Sequence, residues 1–421
     1  MTLIKTSLLN GIAVVIKMLT LLGINKILAI YVGPAGYAAL GQFQNAMMII
    51  TTFASGAINT GVTKYTAEYY YDETKQRLVW RTAGTIALLG SIVTALLIAV
   101  FNQSLATWFL KDAIYGGVFL WFAATLVLFT FNTLLLAILN GKKEISRYVL
   151  ANIAGSLFAL IVTTVMTIQF GLYGALIALA SYQSISFFAT LLICYKAAWF
   201  KIDYLFRGID KQAALNLGKY TAMALTSAAC VPVSHMLVRN HLGETIGWDA
   251  AGYWEAMWRL SSAYLMFVTT TLGVYYLPKL SELKDAREIK KEIIQGYKVI
   301  LPVAALCGMV IYLLRDLIIV ALFTKDFSPM RGLFAWQMLG DTLKIGSWIL
   351  AYLMLGKAMV KIFVITEIIF SAGFVVLAWA FIEGIGLEGV AVAHAVNYAI
   401  YWGVIAACIW RYLIKLSSDV N

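Results

Sequence analysis

The sequence predicts an all-α integral membrane protein of about twelve transmembrane helices in two six-helix halves, and three observations carry that prediction. Of its 421 residues, 62% are hydrophobic and 13% charged, with a mean hydropathy of +0.83, outside the range of soluble domains. Apolar stretches of about 20 residues, enough helix to cross roughly 30 Å of hydrocarbon, recur along the whole chain. The second half also repeats residue patterns of the first at a nearly constant separation.

Taken in order, the apolar runs place spans at 3–31, 37–62, 81–102, 115–140, 147–169, 174–196, 217–239, 251–277, 296–320, 334–355, 362–382 and 388–412. The first run follows Lys5 as a signal peptide would, yet it carries Lys17 and Lys26 and lacks a small-residue cleavage site, so it reads as a retained helix. Residues 1–196 then form an N-lobe and 217–421 a C-lobe. The connecting segment 197–216 mixes Trp, Tyr and Phe with Lys and Arg, a pattern that predicts a helix lying in the membrane interface. Residues 279–298 interleave acids and bases at helical spacing and predict extensions of the eighth and ninth helices beyond the membrane.

Most of the 32 Lys and Arg residues fall in alternate loops, among them Lys64, Lys75, Lys142, Arg147, Lys201, Arg207, Lys219, Lys290 and Lys357. Only Lys111, Arg239, Lys325 and Arg331 fall clearly on the other side, so the positive-inside rule puts both termini of a multi-pass membrane protein in the cytoplasm. The net charge of +11 is then topology facing anionic headgroups. No soluble basic domain exists to present it to nucleic acid.

The repeat is specific. Ala35-Gly36-Tyr37 recurs as Ala251-Gly252-Tyr253, and Lys111-Asp112 as Lys325-Asp326. Trp121 with Gly141-Lys142 recurs as Trp336 with Gly356-Lys357, and the pattern of Gly171, Leu172, Gly174, Ala178 and Ala180 as Gly386, Leu387, Gly389, Ala393 and Ala395. Each half holds an even number of spans, so both halves run the same way through the membrane about an axis along its normal. A central cavity between them is expected.

Ionisable groups at membrane depth are costly and are therefore candidates for function. Lys17 sits near the middle of the first span and Lys26 near its end, about half a turn out of phase, so either Gly23 bends the helix or one lysine lines the cavity. Glu255 and Arg259 lie one turn apart, as do Asp341 and Lys344, and each pair can meet along one helix face. Such pairs either neutralise themselves or supply positive charge to an anionic substrate and a carboxylate to a coupling cation. Glu367 and the histidines at 235 and 394 are further candidates.

Several chemistries are missing. Gly141-Lys142, Gly218-Lys219 and Gly356-Lys357 are not part of a P-loop, and no G-x-S-x-G or H-E-x-x-H occurs. Cys194, Cys230, Cys307 and Cys408 stand singly in apolar runs, which points to neither disulfides nor zinc. Neither a cofactor, a metal nor an enzymatic activity is expected.

Further residues carry a family resemblance over nearly the full chain. They are Lys17 and Lys26, Gly33-Pro34-Ala35-Gly36, Gly61-Val62-Thr63-Lys64-Tyr65, Leu277-Pro278, Leu314-Arg315-Asp316, and Leu333-Phe334-Ala335-Trp336-Gln337 with Gly340-Asp341 and Lys344. With these the sequence resembles the Wzx-type polysaccharide-lipid flippases, the lipid III and O-antigen group of the MOP superfamily, which also holds multidrug and cation antiporters. The resemblance implies a MATE-like pair of lobes working by alternating access on an undecaprenyl-diphosphate-linked glycan. Polymerase and chain-length proteins of the same pathway are implied partners, beside membrane lipids. Asn140-Gly141-Lys142-Lys143-Glu144 departs from the family pattern, which leaves the sugar open.

A diphosphate carries about two negative charges and needs Lys or Arg at membrane depth. Lys17, Lys26, Arg259 and Lys344 are the expected anion contacts, Gln42, Asn45 and Gln337 the sugar contacts, and Asp341, with Glu255 and Glu367, the coupling group. The alternative is a multidrug or organic-cation antiporter on the same fold, whose cavity would concentrate uncompensated acids. A third reading is an assembly factor without transport.

Overall fold

The computed structural model describes residues 3–206, 208–357 and 359–418, without the side chains of 3–10, 13, 219, 220, 222, 223, 271, 274, 277 and 278. Arg207 thus lies outside the described residues, as do the side chains of Lys5, Lys219 and the Leu277-Pro278 motif. The helices are α1 (Leu3–Tyr31), α2 (Gly33–Ser55), α3 (Asn59–Glu68), α4 (Glu73–Val100), α5 (Asn102–Leu110), α6 (Gly116–Gly141), α7 (Ile145–Tyr195) and α8 (Lys211–Thr245). They continue as α9 (Trp248–Thr271), α10 (Leu277–Glu282), α11 (Ala286–Leu313), α12 (Arg315–Leu322), α13 (Leu333–Gly356), α14 (Val360–Ile385) and α15 (Glu388–Ser418). No strand occurs among the described residues.

Eight helices are long and apolar enough to cross a membrane, or nine when the bent pair of α2 and α3 counts as one span, among the described residues. Helix α7, at 51 residues, is too long for one crossing and is two helices, broken where Gly171 adopts φ 55 and ψ −135. Helices α8 and α9 have 35 and 24 residues, a crossing length, but carry the charged groups that lower their hydropathy. Counting α7 twice and adding α8 and α9 recovers the expected twelve. The multi-pass all-α architecture follows from the bilayer, where helices alone satisfy every backbone group within one segment.

Local chemistry sets the ends. Pro34 sits in the first turn of α2, which stops where Gly56 turns left-handed at φ 64 and caps the Phe53 carbonyl. The chain then bends by 49° into α3. Asp72 caps α4 by accepting from the Lys75 N–H at 3.1 Å, and Asp285 caps α11 by accepting from the Arg287 N–H at 3.0 Å. These caps explain why α4 and α11 begin eight and ten residues before the expected apolar runs. A cap rather than hydropathy starts a helix.

Packing divides the chain into two compact units, one of 1–32 with 39–232 and the other of 33–38 with 233–421. In the first, α7 packs against α1 and α6, around a core that includes Val62, Trp80, Leu134, Ile138, Leu205 and Leu217. In the second, α13 packs against α9, α11 and α15 around Leu272, Ile349, Leu353 and Ile405. Between helices in lipid the drive is dispersion and close approach rather than escape from water, which is where the small residues matter.

The segment 197–216 departs from expectation. Instead of an interfacial helix it holds one short turn, Ile202–Leu205, and then enters α8 at Lys211. Ala197, Phe200 and Leu205 are buried in the first unit, and the Leu205 carbonyl lies where a side chain on Gly84 would stand, 2.0 Å from its Cβ. The aromatic residues that read as interfacial anchors are partly core.

The repeated glycines have a physical cause. Gly171 and Gly386 both take positive φ, 55° and 71°, and turn one span into the next. Three residues on, Gly174 and Gly389 let helices touch: an added Cβ would lie 1.9 Å from the Met166 carbonyl oxygen and 2.3 Å from that of Phe381. Gly174→Val and Gly389→Val are each expected to destabilise the purified protein by about 1–3 kcal/mol, as overpacking does. Gly403→Ala, with nothing within 4 Å of the new Cβ, should leave the unfolding temperature unchanged. Equal melting of all three variants would refute this account.

The repeated Gly-Lys pairs act alike in both units. Lys142 donates to the Gln76 side chain at 3.0 Å and faces the Trp199 ring at 5.3 Å. Lys357 donates to the carbonyls of Ser281, at 3.2 Å, and Leu283. In each unit the lysine ties the end of a span to an earlier segment, the first turn of α4 in one and the end of α10 in the other.

Candidate functional site

The second unit contains a buried charged and aromatic interior built from α8, α9, α13, α14 and α15. Glu255 on α9 is 3% exposed and accepts from Arg259 Nε at 2.8 Å, one turn on. The expected pair therefore meets. It is also joined by Arg239, which hydropathy places in an outer loop but which lies within α8, because that helix runs on to Thr245. Arg239 is 1% exposed and donates from Nη2 to Glu255 at 2.6 Å. Two guanidiniums thus share one carboxylate. Aromatic faces spread their charge, Tyr37 at 5.5 Å from Arg259 and Trp254 at 5.4 Å from Arg239.

Asp341 on α13 is fully buried and is the focus of three other side chains. Tyr264 donates to Oδ2 at 2.7 Å and Gln337 Nε2 to Oδ1 at 3.1 Å, while His394 Nε2 lies 3.0 Å from Oδ1. Gly340 makes the last contact possible, since a Cβ there would stand 2.4 Å from the His394 ring. The Oε1 of Gln337 is buried with no hydrogen-bond partner, a polar atom left over beside the carboxylate.

The expected pairing of Asp341 with Lys344 does not form. No ion pair joins them among the described residues, because the carboxylate is taken by its three partners and the lysine points into rings. The Lys344 ammonium lies 4.4 Å from the centroid of Trp258, 5.0 Å from Trp348 and 5.3 Å from Tyr398. Glu367 on α14 is half-buried and acts on Lys344 electrostatically. His235 links the two charged groups: its ring packs on Trp254 at 5.4 Å and on Trp258 at 4.2 Å, and Trp258 in turn packs on His394 at 5.9 Å.

The other sequence-derived candidates lie in the first unit. Lys17 is exposed and Lys26 half-buried on an unbroken α1, as their half-turn offset requires. Gln42 is buried, and the Nδ2 of half-buried Asn45 is enclosed without a partner. Arg239, Tyr264, Trp258, Trp348 and Tyr398 are not legible as site residues in the sequence. Only Arg239 has a signal, a basic residue at the end of an apolar run, and it is equally compatible with a loop.

Chemically, this interior offers arginines for an anion and a carboxylate and imidazole pair for a proton. No group of three metal-ligating side chains occurs among the described residues. Together, the crossing helices and the charged groups define a multi-pass membrane protein with a buried ionic interior.

Comparison with known proteins agrees. The chain matches the family described as polysaccharide biosynthesis protein over residues 3–284, and it belongs to that family. It is 30% identical over 413 residues to the lipid III flippase of Escherichia coli (strain K12), covering 98% of this chain and 99% of that protein, and equally to the lipid III flippase of Shigella flexneri. Its fold is similar to that of a multidrug resistance MATE family transporter of the MOP superfamily solved in an inward-facing conformation, with a TM-score of 0.78 at 15% identity over 96% of each chain. These relatives are flippases and transporters, and the chain is a transporter rather than an enzyme.

Proposed function

We propose that the protein is a flippase for an undecaprenyl-diphosphate-linked oligosaccharide, of the lipid III or O-antigen kind. It carries this lipid from the cytoplasmic to the periplasmic leaflet of the bacterial inner membrane by ion-coupled alternating access, with both termini in the cytoplasm and with 1–196 and 217–421 as its lobes. The observation that carries the reading is the 30% identity to lipid III flippases over nearly the full length of both chains. The buried interior supports it, since two guanidiniums sharing one carboxylate and an ammonium without a carboxylate in contact suit a diphosphate or acidic sugar better than an organic cation. Arg259, Lys344, Lys17 and Lys26 are the proposed anion contacts. Gln42, Asn45 and Gln337 serve the sugars, and Asp341, with Glu255 and Glu367, serves coupling.

The test is reconstitution in liposomes carrying a fluorescent undecaprenyl-diphosphate oligosaccharide on one leaflet. The native chain should move it to the other leaflet, and Lys17→Ala should slow that movement at least tenfold. Absence of movement under any ion gradient, together with extrusion of cationic dyes, would replace the flippase with a cation exporter.

A further inference from the structure

The faces of Trp258, Trp348 and Tyr398 surround the Lys344 ammonium at 4.4, 5.0 and 5.3 Å. They come from α9, α13 and α15, so the cage exists only in the folded unit. Ring faces within about 6 Å of a cation are how proteins hold quaternary ammonium ligands. Here the cation is part of the chain. The nearest acid in sequence, Asp341, is engaged by Tyr264, Gln337 and His394, so the rings rather than an ion pair hold the ammonium. Lys344 is 6% exposed and its position is enclosed.

We propose that Lys344 is a tethered cation that fills an aromatic cage and closes it to organic cations, making this residue the determinant of which charge sign the interior accepts. The proposal deepens the flippase reading and rests on its anion-accepting interior. With Lys344 in place, an incoming ammonium group meets a filled cage and a like charge. Without it, three ring faces stand open and the like charge that would repel an incoming ammonium is gone. One side chain therefore separates an interior suited to phosphate from one suited to an amine. The same fold can host either.

The experiment titrates the purified full-length native protein, Lys344→Ala and Lys344→Ser with choline and with its neutral isostere 3,3-dimethylbutanol. Tryptophan fluorescence and calorimetry report binding at constant ionic strength. Choline is expected to bind both variants at least tenfold more tightly than the native chain, while the isostere gains little. Adding Trp258→Ala should remove the gain. Thermal unfolding identifies a folded variant, and two different replacements guard against the loss of one. A folded variant without the gain, an equal gain for the neutral isostere, or native binding of choline as tight as the variants' would overturn the proposal. Lipid translocation by the native chain is read separately, so failure there removes the flippase reading alone, and failure of choline binding removes the cage alone.

Discussion

Glu255→Gln is expected to be the most damaging single substitution in the buried interior, lowering stability by about 3–5 kcal/mol, the cost of leaving buried charge without its counter-ion. Arg239 and Arg259 approach opposite oxygens of this carboxylate at 2.6 and 2.8 Å. Glutamine keeps the shape and one acceptor oxygen but presents an N–H₂ to one of two guanidiniums that now repel each other. Arg239→Gln should cost less, since Glu255 keeps Arg259 one turn away on its own helix. Thermal unfolding of the three proteins in one detergent gives the order. If Glu255→Gln melts with the native protein, or above Arg239→Gln, the shared carboxylate is not what makes two buried arginines tolerable.

Asp341→Asn should abolish the response of transport to an ion gradient while leaving the protein folded, with gradient-driven flipping falling at least tenfold and gradient-free flipping little changed. The argument is geometric. Asp341 receives Tyr264, Gln337 and His394 in a fully buried setting, so a proton entering or leaving this cluster changes three contacts on α9, α13 and α15 at once. Asparagine fills the same space, cannot ionise, and turns one acceptor into a donor facing other donors. His394→Gln should act in the same direction, because it leaves the carboxylate without its imidazole. Flipping by Asp341→Asn that still responds fully to a proton gradient, measured in the same liposomes, would remove Asp341 from coupling and leave the flippase reading untouched.

Much of the fold is legible in the amino-acid sequence because its causes are local. Hydropathy over about 20 residues marks a crossing wherever the chain meets lipid, and the repeated Gly171 and Gly386 mark breaks because only glycine reaches their φ easily. The same local logic locates Glu255, Arg259, Asp341 and Lys344, since charge at membrane depth stands out in an apolar run. Helix starts are less legible from hydropathy: Asp72 begins α4 well ahead of the apolar residues, while the early start of α11 at Asp285 shows only in the charged helical spacing of 279–298.

What tertiary structure alone decided is who meets whom. Asp341 and Lys344 sit one turn apart and yet part company, because Tyr264, 77 residues away, and His394, 53 residues away, bring donors to the carboxylate. Arg239 joins Glu255 across 16 residues by virtue of how α8 and α9 pack, and the three rings around Lys344 come from three helices. The sequence by itself determined that this is a duplicated, multi-pass helical protein with charge in its interior. Spacing along one helix says only which contacts are possible. The choice among them belongs to the packing of several helices, where each buried donor, acceptor and ring must find a partner at once.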